Sequence, residues 1–199
     1  MPYHKYAAEF LGTLALSLVV WLSVAFTMPL STPVVAALTL GLFVYTVGSI
    51  SGAHLNPAVT IGMLSAGKMK MNDAVLYIVF QLAGAAVAMT IGRLLTGQSG
   101  SVAMEATMSA GVAEAMGAFV LAFAVMSVTL QKVPPAAAGL VVGGSLLIGI
   151  YVAFPFSNAI LNPAVALAVN AFGPREILGP IVGAVGGACA RMGLEHARG

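Results

Sequence analysis

Ala53-His54-Leu55-Asn56-Pro57-Ala58-Val59 returns as Ala159-Ile160-Leu161-Asn162-Pro163-Ala164-Val165, with only His54 against Ile160 changed. In each copy an Asn stands directly before a Pro, and an apolar run follows. An Asn side chain caps orphan backbone N–H groups, while Pro at the first helical position gives up no hydrogen bond, so each copy reads as a helix start. The spacing predicts helices from Asn56 to about Ser65 and from Asn162 to about Ala171. At about ten residues each they have half the length that a membrane crossing needs, so both are re-entrant or interfacial.

The surrounding chain of 199 residues is 60% hydrophobic and only 7% charged, with a mean hydropathy of +1.02. Water-soluble domains carry about 25% charged residues, so this is an integral membrane protein. Its apolar runs do not alternate as barrel strands would. Six spans are expected: about Tyr6 to Phe26, Val34 to Ser49, a third capped by Asn72 or Asp73 and reaching Leu95, Gly111 to Leu130, Ala136 to Phe154, and a short Gly-rich one from Ile177 to Leu194. Gly173-Pro174 is read as the end of the second short helix. A cleaved leader is the rival reading of the first run, opposed by Glu9 and by the lack of a small-x-small cleavage site. The net charge of +2 gives no reason to expect a nucleic-acid partner. Cys189, the one cysteine, is expected to be a packing residue of the last span.

The chain reads as one channel domain over 1–199 made of two repeats, about 1–100 and 101–199. Glu9 and Glu114 stand 105 residues apart, and Asn56 and Asn162 stand 106 apart. Each half holds three spans and one half-span. An odd number of crossings separates equivalent points, so the second half is inverted and the two short helices enter from opposite faces. With a cytoplasmic amino terminus, Lys5, Lys68, Lys70, Lys132, Arg191 and Arg198 lie inside against Arg93 and Arg175 outside, which fits the positive-inside rule.

Non-helical backbone at membrane depth is tolerated where protein buries it or where it lines a water-filled cavity. Two helix amino termini facing one another in a dry interior would be costly, which favours the cavity. Asn56 and Asn162 then offer central N–H donors. Carbonyls of Gly52, Ala53 and His54, and of Ser157, Asn158 and Ala159, offer acceptors to either side. Glu9 and Glu114 are functional candidates as intramembrane carboxyls, with a proton relay or cation site as one reading. The preferred reading makes them acceptors for the N–H groups of the irregular stretches. His54 is read as a hydrogen-bonded strut, since no second ligand is spaced with it for a metal. Gly84, Ala88 and Gly92, and Gly179, Gly183 and Gly187, are expected at close helix contacts.

The duplicated Asn-Pro-Ala half-helices, Ser51-Gly52-Ala53-His54-Leu55-Asn56-Pro57-Ala58-Val59-Thr60, the paired Glu residues and Gln81 together resemble the major intrinsic protein family, the aquaporins and aquaglyceroporins. The resemblance covers essentially the whole chain. It implies an all-α fold of six spans and two half-helices in an inverted 3+3 repeat, no enzymatic activity, no cofactor, and a homotetramer with a pore in each subunit. Pro57, Ala58, Pro163 and Ala164 would start the half-helices, with Glu9, Glu114 and Gln81 supporting the loops. The outer filter would fall on Ala36, Leu146, Ala159 and Val165. Most members carry Arg at the Val165 position, and typical water channels carry His at that of Leu146. An apolar, wide filter implies passage of water, glycerol-like polyols and undissociated metalloid hydroxides such as arsenite across a bacterial inner membrane. The short loops and tail also look prokaryotic. A water-selective channel is the alternative within the family. Outside it stand an ion- or proton-coupled transporter, an intramembrane enzyme and a non-conducting scaffold.

Overall fold

The computed structural model describes residues 3–100, 102 and 107–197. Among them eight α-helices form: α1 Tyr3–Ala25, α2 Thr32–Ser51, α3 Pro57–Ser65, α4 Met71–Thr96, α5 Met108–Thr129, α6 Ala138–Ala153, α7 Pro163–Ala168 and α8 Pro174–His196. A 3-10 turn, Pro135–Ala137, leads into α6. Six are long and apolar enough to cross a membrane, the turn counting with α6; α3 and α7 are the two short ones.

The packing is paired between the halves. In the first, α1 packs on α2 and α4; in the second, α5 packs on α6 and α8. Each short helix docks on the other half, α3 against α8 and α5, α7 against α4 and α1, while α2 meets α6 across the middle. Exchanging the halves therefore maps the contacts onto one another. This is the inverted 3+3 arrangement, with the short helices crossing between repeats.

Small residues set the closest approaches. Gly84 faces the backbone of Phe10, Gly92 faces the Trp21 ring, and Gly179, Gly183 and Gly187 face carbonyls of Gly111, Ala115 and Phe119. In a membrane, where lipid is as apolar as leucine, such contacts carry much of the association. A Cβ at Gly183 would collide with the Ala115 carbonyl, which is backbone and cannot swing aside. Gly183→Leu is expected to lower the melting temperature of the purified protein by many degrees, since overpacking costs about 1–3 kcal/mol and often more. Gly193→Leu, with open space around that position, should leave it within about a degree or raise it through helix propensity.

Several expectations from the sequence are corrected. The second short helix stops at Ala168, three residues early. Asn170 takes a left-handed φ of 58°, and Ala171 N–H bonds back to Ala166 O while Asn170 N–H bonds to Leu167 O. This is a Schellman ending with Asn in glycine's usual place. Gly173-Pro174 does not end that helix. Pro174 instead stands at the first position of α8, which runs for 23 residues and is not short. Neither Asn72 nor Asp73 caps α4: its cap position is Lys70, without a side-chain bond. Asp73 Oδ1 turns to Tyr6 OH and Lys5 Nζ, each at 2.8 Å. The fourth span starts three residues early because Thr107 Oγ1 caps Ala110 N–H. Cys189 is exposed, because the packed face of α8 follows Gly179, Gly183, Ala184, Gly187 and Ala188. Arg198, one of the six basic residues assigned inside, and part of the connection before α5 lie outside the described residues.

Candidate functional site

Both Asn-Pro starts have the same local build. Asn56 and Asn162 are extended, with φ of −157° and −147°, and Pro57 and Pro163 take the first helical positions. Asn56 Oδ1 accepts from Ala58 N–H at 2.8 Å, and Asn162 Oδ1 accepts from Ala164 at 3.0 Å and Val165 at 3.4 Å. The amide nitrogens then reach across. Asn56 Nδ2 donates to Leu161 O and Asn162 Nδ2 to Leu55 O, both at 2.9 Å. These reciprocal bonds tie the two helix starts together with one N–H each and leave the second N–H of each amide over.

The stretches before them are held by the two carboxyls. Ala53 and Leu55, like Ala159 and Leu161, have φ near +50°, each costing about 1–2 kcal/mol for a residue with a Cβ. Alternation into the left-handed region turns successive N–H groups to one side, forming a concavity suited to an anion. Glu9 occupies the first, accepting from His54 N at 3.0 Å and Leu55 N at 2.7 Å. Glu114 occupies the second, accepting from Ile160 N at 3.0 Å and Leu161 N at 2.7 Å. Ser51 and Ser157 donate to them and take N–H bonds from Ala53 and Ala159.

The first half has further braces. Gln81 Nε2 donates to Glu9 Oε2 at 2.8 Å and to Thr60 Oγ1 at 3.0 Å. His54 Nδ1 lies 3.1 Å from Thr60 Oγ1, with its ring edge-on to Tyr77, whose OH donates to Ser51 O. In the second half Ile160 and Ala166 stand where His54 and Thr60 stand in the first, so the polar braces are replaced by apolar contact.

Two cavities open at opposite ends of α2. The first, about 410 Å³, brings together Ala36, Leu146, Ala159 and Val165, with Ser157, Asn158 and Asn162 in the same wall. The second, about 1030 Å³, is lined by Gly52, Ser49, Thr129 and Lys132 among others. Ala53, His54 and Asn56 belong to neither wall and are buried between the two. Lys132 Nζ is paired with Glu195 at 2.6 Å, so the wall's one cation is matched. Among the described residues no charged side chain lines the first cavity.

Sequence reasoning missed part of the first wall. Leu16 and Val20 enter from α1, Ile150 from α6, and Val102 from the connection before α5, where its N–H bonds to Val169 O at 3.2 Å. Leu16 and Val20 are four apart on one apolar helix, a spacing that also fits ordinary packing. Nothing in the sequence marks Val102. Among the described residues no group of His, Cys, Asp and Glu is placed to hold a metal.

The profile of the family described as major intrinsic protein matches residues 2–190. Aquaporin NIP1-4 of Oryza sativa subsp. japonica is 37% identical over 160 residues, covering 74% of this chain and 58% of that protein. Aquaporin Z of Photorhabdus laumondii is 30% identical over 195 residues, covering 84% of each. The chain spans about three fifths of the length of plant relatives such as Aquaporin NIP1-4 of Oryza sativa subsp. japonica and Aquaporin NIP1-1 of Zea mays. The X-ray structure of the aquaglyceroporin from Plasmodium falciparum superposes with a TM-score of 0.73 over 98% of this chain and 95% of that one, at 23% identity, and so shares the fold.

Proposed function

The chain belongs to the major intrinsic protein family, and from that premise we propose that it is a passive channel for water and small uncharged solutes, among them glycerol-like polyols and undissociated metalloid hydroxides such as arsenite. The path runs from the first cavity past Asn162 and Asn56 to the second. With the amino terminus cytoplasmic the first cavity is outer and the second inner, and the protein sits in a plasma membrane, assembled as a homotetramer.

One observation carries this reading. All four candidate filter residues, Ala36, Leu146, Ala159 and Val165, share one cavity wall, and among the described residues that wall holds no charged side chain. A neutral solute exchanges its water for the loop carbonyls and the remaining Asn162 N–H as it passes. A cation meets the amino-terminal ends of two helices, and among the described residues no carboxylate lines the cavity, Glu9 and Glu114 being spent on backbone N–H groups. Those bonds favour loop support over a proton relay for the two carboxyls.

Reconstituted vesicles shocked with sucrose should shrink several-fold faster than protein-free ones. With glycerol they should shrink and then reswell, and they should take up arsenite. Fast shrinkage without reswelling would make the channel water-selective. Flux equal to that of protein-free vesicles would end the channel reading.

A further inference from the structure

Thr13, Ser17 and Trp21 stand four residues apart along α1, each 2% exposed or less. Each keeps one polar atom, Oγ1, Oγ and Nε1 in turn, that meets no hydrogen-bond partner among the described residues. Gln81 Oε1 on α4 is a fourth such atom, on a side chain whose Nε2 is already given to Glu9 and Thr60. Glu9 lies one turn before Thr13, so the four atoms follow one line. Leu16 and Val20 of α1 line the first cavity, whereas Thr13 and Ser17 do not. The helix therefore turns hydrocarbon to the cavity and hides its polar strip in the packing. That strip runs along α4, where Gly84 lies against Phe10 and Leu14, and Gly92 against the Trp21 ring.

Polar atoms left unpaired at membrane depth are costly, and nearly all buried ones in folded proteins have a partner, water included. The spacing here is that of water. Residues four apart on a helix are about 6 Å apart along its axis, and a water bonded to both spans about 5.6 Å, two bonds of about 2.8 Å. The chemistry agrees: hydroxyls donate and accept, the indole N–H only donates and the Gln81 oxygen only accepts, so water can serve every member. Ala85 and Ala88 of α4 and Ala164 and Ala168 of α7, the short helix docked on α4 and α1, are wholly buried. Such small side chains leave space, and one water needs only about 10–15 Å³ of it. Trp21 also lines a side cavity of about 140 Å³ with Gln98, Gly100, Val102 and Val169, the last two shared with the first cavity, which gives water a way in.

We propose that the seam between α1 and α4 is a binding site for internal water, one molecule in each gap from Gln81 and Thr13 through Ser17 to Trp21. This water joins the two helices beyond Glu9, and it is separate from any path through the two cavities. Trp21 is the one tryptophan of the chain and so its own probe. Ultraviolet resonance Raman spectra of the purified protein in detergent report whether the indole N–H is hydrogen-bonded. A bonded indole is expected, although no described residue reaches it. Ser17→Ala removes the next member of the line and should move that band towards its unbonded position. Thr13→Val keeps the shape and removes the hydroxyl. Losing a hydroxyl bonded to water should lower the melting temperature by several degrees, whereas losing an unpartnered one would raise it or leave it unchanged.

An unbonded indole in the native protein would overturn the proposal, and so would a Thr13→Val protein that melts at or above the native temperature. A bonded indole whose band stays in place in folded Ser17→Ala protein would overturn it as well, because the partner of Trp21 would then lie outside the line. Should neither variant fold, the indole band of the native protein still decides.

Discussion

Glu9→Leu is expected to yield almost no folded protein. The carboxylate accepts from four buried groups, the Ser51 hydroxyl, His54 N–H, Leu55 N–H and Gln81 Nε2, and Glu9 itself is wholly buried. Leaving a buried donor unsatisfied costs about 1–3 kcal/mol, so the gross loss is about 4–12 kcal/mol, the size of a typical folding free energy. The left-handed Ala53 and Leu55 also lose the acceptor that holds them there. Glu114→Leu abandons three donors in place of four, the Ser157 hydroxyl and the N–H groups of Ile160 and Leu161, and should be severe but less so. Glutamine at either position keeps one acceptor oxygen and should be intermediate. Size-exclusion profiles and melting curves in detergent rank the variants, and a Glu9→Leu protein that melts like the native one would remove the anion-concavity account of both loops.

The ranking bears on how the halves divide their work. Glu9 stands at the centre of a network reaching Gln81, Thr60 and, through them, His54, while Glu114 accepts from the Ser157 hydroxyl and from two backbone N–H groups of its loop. The loop that Glu114 holds is the one that lines the first cavity. A loop fixed chiefly through its backbone can carry varied side chains at Ala159, Ile160 and Val165 without rebuilding a polar core. On the channel reading proposed above, that leaves these positions open to variation, while the reciprocal bonds of Asn56 and Asn162 fix the meeting of the two helix starts.

Much of this was legible because repetition converts weak signals into strong ones. One Asn-Pro before an apolar run is a common helix start. Two of them, each paired with a Glu at nearly the same offset, specify inverted halves and a shared centre. What stayed hidden depends on tertiary contact. The end of α7 rests on Asn170 entering the left-handed region, which the nearby Gly173-Pro174 signal masked. Asp73 had the sequence of a cap, yet Tyr6 and Lys5 on α1 drew its carboxylate away. Val102 reaches the cavity through a backbone bond to Val169, for which no residue type is diagnostic. The cross-repeat bonds from Asn56 and Asn162 to leucine carbonyls were equally out of reach, because a backbone acceptor leaves no trace in composition.

Val165→Arg tests the filter itself. Val165 lies in α7 one turn after Asn162, is 5% exposed, and shares the cavity with Ala36, Leu146 and Ala159. A guanidinium there is long enough to cross a 410 Å³ space and brings five N–H donors to a wall that now offers hydrocarbon. Its charge is tolerable if carbonyls of the Ser157–Ile160 loop, which lines the same cavity, accept from it, and the small Ala36 and Ala159 leave room. Glycerol and arsenite flux should therefore fall by more than tenfold, while water flux falls by less, since a water molecule still fits beside the side chain. Two effects act together: the free cross-section shrinks, and the added donors hold oxygen-rich solutes more tightly within it. If glycerol and arsenite pass the folded variant as fast as the native protein, Val165 does not stand at the narrowest point. The discriminating residues would then have to be sought elsewhere in the same wall, among Leu16, Val20 and Asn162.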